Sequence, residues 1–111
     1  MRFCVTASYK LCKVIDFAVE IVSAYLEDLV DSGLDLITVP EPVASGDLIR
    51  PSVFEQYVLP ADVKVKDRLS ARCPSCLIHI CGRTDKLVVP VADARMGVFL
   101  RGFNRYVLLC L

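Results

Sequence analysis

The spacing of apolar and polar residues changes period several times along the chain, and each change marks an element. Residues 2–7, Arg-Phe-Cys-Val-Thr-Ala, alternate and are rich in strand formers, which predicts a short edge strand. From residue 9 to residue 31 the period becomes helical. Leu11, Ile15, Ala18, Val22, Leu26 and Leu29 share one arc of a 3.6-residue wheel, while Lys13, Asp16, Glu20, Glu27 and Asp31 lie opposite. Ser8 is placed to cap this helix and Gly33 to end it. A strand is expected over residues 34–39, followed by a long connection marked by Pro40, Pro42, Ser45, Gly46 and Pro51. Residues 53–59 form another apolar segment, closed by Pro60.

In the second half the alternation Val63-Lys64-Val65-Lys66 predicts a strand with a lysine face. Residues 77–81 and 86–91 flank the turn-like Gly82-Arg83-Thr84-Asp85 and read as a hairpin. Residues 97–109 are a final strand pair or a short helix, with strands favoured because Phe99, Arg101, Phe103 and Arg105 would share one face. The expected fold is therefore α+β: a long N-terminal amphipathic helix, antiparallel strands, and a zinc-knuckle β-hairpin in the C-terminal half.

Composition sharpens this picture. With 111 residues, 55% of them hydrophobic, the chain is expected to be one domain with its own core. Disorder is excluded by that apolar content at zero net charge. Mean hydropathy is +0.53, yet the longest apolar stretch, residues 11–30, is broken by five charges, so no membrane span is expected. No signal peptide is recognised either, and an intracellular protein is expected. Up to residue 55 there are four basic and nine acidic residues; beyond it there are nine basic and four acidic. An acidic half (residues 1–60) thus precedes a basic half (residues 61–111). Such a dipole serves either phosphate binding or self-complementary packing of two halves or two subunits.

The six cysteines carry the most specific chemistry. Cys73-Pro74-Ser75-Cys76 is a C-x2-C pair between two expected strands, the form of a zinc knuckle. An expected strand after it argues against a thioredoxin-like redox pair, which sits before a helix. Completing ligands must come from His79, Cys81, Cys110, Cys4 and Cys12. Extended chain advances about 3.3 Å per residue, so His79 stands roughly 10 Å and Cys81 roughly 16 Å along from Cys76. The favoured set is Cys73, Cys76, His79 and Cys110, with Cys81 as the alternative fourth ligand; His79 and Cys81 also share a strand face as an H-x-C pair. Zn2+ is the expected cofactor, contributing on the order of 10 kcal/mol to folding.

Catalysis draws no support from these residues: the single histidine lies in the metal set, and neither a phosphate loop nor a carboxylate pair stands out. A non-enzymatic protein without a small-molecule substrate is expected. Basic residues interleaved with rings suggest nucleic-acid binding instead, through Lys64, Lys66, Arg101, Phe103 and Arg105. The competing arrangement puts the rings in the core and the arginines at its rim. The high apolar content predicts an exposed patch and a homodimer.

Over residues 47–79 the chain resembles the small zinc-binding protein encoded at the 5′ end of sobemovirus genomes. The resemblance rests on Arg50-Pro51-Ser52, Pro60, Val63 and the C-x2-C-x2-H run from Cys73 to His79. A second C-x2-C pair found in that family is missing, since only Leu111 follows Cys110. The resemblance implies a plant-virus accessory protein that suppresses host RNA silencing and supports spread, acting in host cytoplasm or nucleus on RNA or a host silencing protein. The alternative is a zinc-stabilised adaptor that binds proteins only. A weaker likeness joins Leu34-Asp35-Leu36 and Pro40-Glu41-Pro42 to papillomavirus zinc-binding oncoproteins, without their L-x-C-x-E hallmark.

Overall fold

The computed structural model describes residues 8–72, 76–94, 98–101 and 106–109. Helix α1, Ser8–Asp31, covers the residues its periodicity predicts, with Ser8 inside the helix and not capping it. It ends where Gly33 takes φ +95° and donates its N–H to the carbonyl of Val30 at 2.9 Å, a left-handed stop that a side chain would resist. Strand β1, Ile37–Pro40, follows, then a 3-10 turn at Pro42–Ala44.

The next element departs from expectation. Residues 51–70 form one continuous helical run: α2, Pro51–Val53; a π-helical segment, Phe54–Val58; and α3, Leu59–Ser70. Pro60 has no N–H and would disturb a regular helix one turn back. The wide turn immediately before it, closed by the Leu59 N–H on the Phe54 carbonyl, accommodates the ring, so the helix passes through the proline. The lysine-faced strand expected from residue 63 is therefore helix. Val65 and Leu69 are buried at helical spacing in one apolar cluster and Val63 packs against the other, so the valine alternation was two sides of a helix.

Strand β2, Cys76–Cys81, is followed by α4, Val88–Asp93, where a second hairpin arm was expected. Pro90 sits in the first turn of α4, where its missing N–H costs nothing. Strands β3, Val98–Arg101, and β4, Tyr106–Leu109, complete a four-stranded sheet in the order β1-β2-β3-β4. β1 and β2 are parallel, β3 adds to β2 in parallel, and only β4 is antiparallel. Helices α3 and α4 supply the crossovers that parallel neighbours require. This small α+β fold corrects the expected antiparallel sheet with a zinc-knuckle hairpin.

Two apolar clusters lie between the helices and one face of the sheet. Ile78 and Ile80 of β2 join Ala44, Phe54, Leu87 and Val91 in one. Ile37 joins Val19, Leu26, Val65 and Leu69 in the other, and Val39 packs against both. By alternation, Thr38 and Pro40 of β1 and Leu77, His79 and Cys81 of β2 take the opposite face, which is exposed to half-buried.

Charge completes the packing of α1 on α3. Lys64 pairs with Asp16 at 2.7 Å, and Arg72 with Asp31 at 3.2 Å. Arg68 donates to both oxygens of Glu27, at 3.2 and 3.0 Å, and reaches Glu20 at 2.8 Å. The acidic and basic halves of the sequence thus face each other inside one chain. No helix among the described residues is long and apolar enough to cross a membrane.

Candidate active site

In parallel sheets the strand C-termini and the loops that follow them are where ligands collect. Here those loops are 41–50 after β1 and 82–87 after β2. Glu41 follows β1 directly and its N–H donates to the His79 carbonyl at 2.8 Å, extending the β1–β2 ladder to the loop. His79 lies opposite Pro40 in register, and Cys81 ends β2 two residues on. His79 and Cys81 are half-buried on the sheet face away from the helices, at the strand end.

Behind Glu41 lies a second acid that the sequence reading missed. Asp62 of α3 is buried, and burial, followed by the charge of Glu41, pushes its pKa from 3.8 up to about 8. Burial also raises the pKa of Glu41. Neither carboxyl stood out from the surface acids, because their proximity exists only once α3 packs on β1. The available signal was Glu41 itself, an acid held between two prolines straight after a strand.

The two loops are locked together at Gly82. Its φ is +87°, and a Cβ there would collide with Ser45 Oγ and stand 2.5 Å from Asp47 Oδ2. Asp47 uses that closeness: its Oδ2 accepts from Ser45 Oγ at 3.1 Å and from the Arg83 N–H at 3.0 Å. The Gly46 N–H returns a bond to the Arg83 carbonyl at 2.8 Å. A cavity of about 310 Å3 opens beside this clamp, lined by Gly46, Pro51, Arg83, Asp85, Lys86 and Leu87.

The zinc expectation fails on this framework. Among the described residues no group of three or more His, Cys, Asp or Glu side chains could hold a metal, and β2 spaces Cys76 three residues from His79 along an extended strand. Cys73 and Cys110 lie outside the described residues, as do Phe103 and Arg105. Cys81 is a free thiol. Of the residues assigned to nucleic acid, Lys64 is paired with Asp16, Lys66 with Asp67 at 3.1 Å, and Arg101 ends β3 in register with Cys81.

Three parallel strands joined by helices, with acids, a histidine and a thiol near their carboxyl ends, do not make the zinc-tied antiparallel half that the sequence led us to expect. Comparison with known proteins shows that the chain belongs to the uroporphyrinogen decarboxylase (URO-D) family, which it matches over residues 1–102. It is 34% identical over 70 residues to the methylcobamide:CoM methyltransferase MtbA of Methanosarcina mazei, covering 63% of this chain and 21% of that protein. To the methylcobamide:CoM methyltransferase MtaA of Methanosarcina barkeri it is 30% identical over 79 residues, 71% of this chain and 22% of the relative. A methylated-thiol–coenzyme M methyltransferase of Methanosarcina mazei is 31% identical over 85 residues, 77% and 22% of the two chains. The chain thus spans about a fifth of the length of these relatives. No solved structure matches it significantly.

These relatives are enzymes, and they overturn the viral resemblance together with the non-enzymatic silencing-suppressor and adaptor readings drawn from it. The likeness to the virus proteins rested on one C-x2-C pair and isolated prolines, a pattern too short to outweigh identity spread over 70 or more residues.

Proposed function

We propose that this chain is part of a methyltransferase that places a methyl group on a thiol of the coenzyme M class. The observation that carries this reading is the run of identity to three methyltransferases, whose names differ in methyl donor but share coenzyme M. In such a transfer the thiol sulfur forms a bond to the methyl carbon, the carbon's bond to the donor breaks with its electron pair leaving on the donor, and the thiol proton passes to a base.

The carboxyl edge of β1 and β2 offers groups for the protein's share of that work. Glu41, its pKa raised by burial, is a base closer to neutrality than an ordinary glutamate, and suits the proton of a thiol. His79 and Cys81 end the adjoining strand on the sheet face away from the helices. Lys86, at the cavity beyond β2, supplies positive charge for the acceptor's sulfonate, beside an Arg83 guanidinium that pairs with Asp47 at 3.5 Å. The Gly82 clamp holds these loops in place before substrate arrives.

The test is consumption of free coenzyme M thiol with methylcobalamin as donor, and separately with a methylated thiol as donor. Thiol loss with either donor is expected, lowered at least about tenfold by Glu41→Gln if a general base is removed. No thiol consumption, or decarboxylation of uroporphyrinogen in its place, overturns the reading.

A further inference from the structure

The loops after β1 and β2 meet with no side chain between them. A Cβ on Gly46 would lie 2.8 Å from the Arg83 carbonyl oxygen, and one on Gly82 would run into Ser45 and Asp47. Across that contact Asp47 holds Arg83 at two points. Its Oδ2 accepts the Arg83 N–H at 3.0 Å, and its Oδ1 stands 3.5 Å from Arg83 Nε. The carboxylate is itself anchored, because Ser45 Oγ donates to Oδ2 and accepts the Asp47 N–H, both at 3.1 Å. Ser45 is buried, so the anchor has little freedom.

The cavity beside this contact carries an excess of positive charge. Arg83 and Lys86 line it with Asp85 as the opposing acid, and Pro51 and Leu87 give it apolar walls. Lys86 is exposed and has no ion-pair partner among the described residues. The Arg83 guanidinium comes no closer to Asp47 than 3.5 Å, well beyond the roughly 2.8 Å of a close charge-assisted bond, and its side chain is 74% exposed. Asp47 therefore orients that guanidinium without neutralising it. A volume of about 310 Å3 is at the small end of ligand pockets and gives room for a compact molecule with one anionic end.

We propose that Asp47 is a positioning residue: by holding both the backbone and the side chain of Arg83, it sets Arg83 and Lys86 to receive a small organic anion of the alkylsulfonate class and to discriminate against its uncharged analogue. Naming that anion as the acceptor's sulfonate rests on the coenzyme M reading; the clamp and the charge of the cavity do not. Asp47 touches no ligand in this arrangement. It acts through Arg83, whose terminal nitrogens can fork onto two oxygens of one sulfonate only from a fixed loop. Without the carboxylate, the bond left between the two loops among the described residues is the Gly46 N–H on the Arg83 carbonyl at 2.8 Å. The cost of ordering the Arg83 side chain then falls on ligand binding.

Sodium ethanesulfonate, which has the anionic end and no thiol, is the probe, titrated into the full chain at fixed ionic strength and followed by NMR at the backbone amides of Gly46, Gly82 and Arg83. The wild-type chain should bind it at least about tenfold more tightly than ethanesulfonamide, its neutral analogue. Asp47→Ala should weaken ethanesulfonate about tenfold and leave ethanesulfonamide unchanged, so that the preference for the anion is lost. Asp47→Asn, whose side-chain oxygen still accepts from Ser45 and Arg83, should stay within about threefold of wild type. Asp47→Ser, too short to reach Arg83, should match Asp47→Ala and gives the same answer if the alanine chain fails to fold. Binding with this dependence upholds the proposal even where no thiol is consumed, in which case the coenzyme M reading alone fails. No binding of ethanesulfonate by the wild-type chain, no preference over the amide, or equal binding by the Ala and Ser chains overturns the proposal whatever the thiol assay gives. An Asn chain as weak as the Ala chain also overturns it, since the hold on Arg83 would then not be what matters.

Discussion

Asp62 shows how much a single position owes to its surroundings. Its carboxyl is raised to about 8 by burial, so the folded state holds a proton that the unfolded chain has released by neutral pH. The stability that this proton brings is fully present below the ordinary aspartate range and is lost as pH rises through about 8. Melting measured between pH 5 and pH 9 should therefore fall toward the alkaline end, and Asp62→Asn should flatten that fall by a few kcal/mol, on the order that a shift of this size implies. Gly82→Ala makes the opposite point about space. The new Cβ meets Ser45 and Asp47 at a positive φ, so a loss of roughly 2 kcal/mol or more in denaturant unfolding is expected. Ser23 is fully buried in the α1–α3 interface with its hydroxyl unpartnered among the described residues. Ser23→Ala should raise stability by about 1 kcal/mol, by removing an unsatisfied polar atom at little change of shape.

Among the elements, α1 was readable in advance because helical period and stop glycine agree there. The segment 63–66 was not, because Val63 and Val65 satisfy a two-residue alternation while Val65 and Leu69 satisfy a helical one. The π-helical turn decided between them by carrying the helix through Pro60. The α1–α3 ion pairs belong to this scale too. Arg68 holds the Glu27 carboxyl below the usual range, chiefly by hydrogen bonding to it, so the pair's contribution fades as pH falls through the carboxylate range. A double-mutant cycle on Glu27 and Arg68 should give a larger coupling than one on Asp16 and Lys64, because Arg68 grips both Glu27 oxygens, and both couplings should shrink in high salt. Equal couplings would show that the two-oxygen grip adds nothing.

For the molecule as a whole, the separation of acidic and basic halves turned out to be a packing device. Of the two uses that a charge dipole of this kind allows, the structure displays the internal one: the acids of α1 pair with Lys64 and Arg68 of α3 and with Arg72 in the turn after it, engaging all three within the chain. The sheet then has one face packed on helices and one face carrying His79 and Cys81. That division places the candidate site at the strand carboxyl ends, where the loops of β1 and β2 are clamped at Gly82.

From the residues alone followed the presence of α1 and its end at Asp31, the strand after Gly33, the strand containing His79 and Cys81, and their position on one strand face. These are local properties, set by side-chain period and by a glycine's access to positive φ. Tertiary structure alone decided that β1, β2 and β3 run parallel, since direction depends on whether the intervening segments are helices long enough to cross the sheet. It alone brought Glu41 and Asp62 together, because burial and mutual charge are fields of the folded chain that neither residue carries in isolation. Among the described residues it also leaves no group of three or more His, Cys, Asp or Glu side chains that could hold a metal, since β2 spaces Cys76, His79 and Cys81 along one strand.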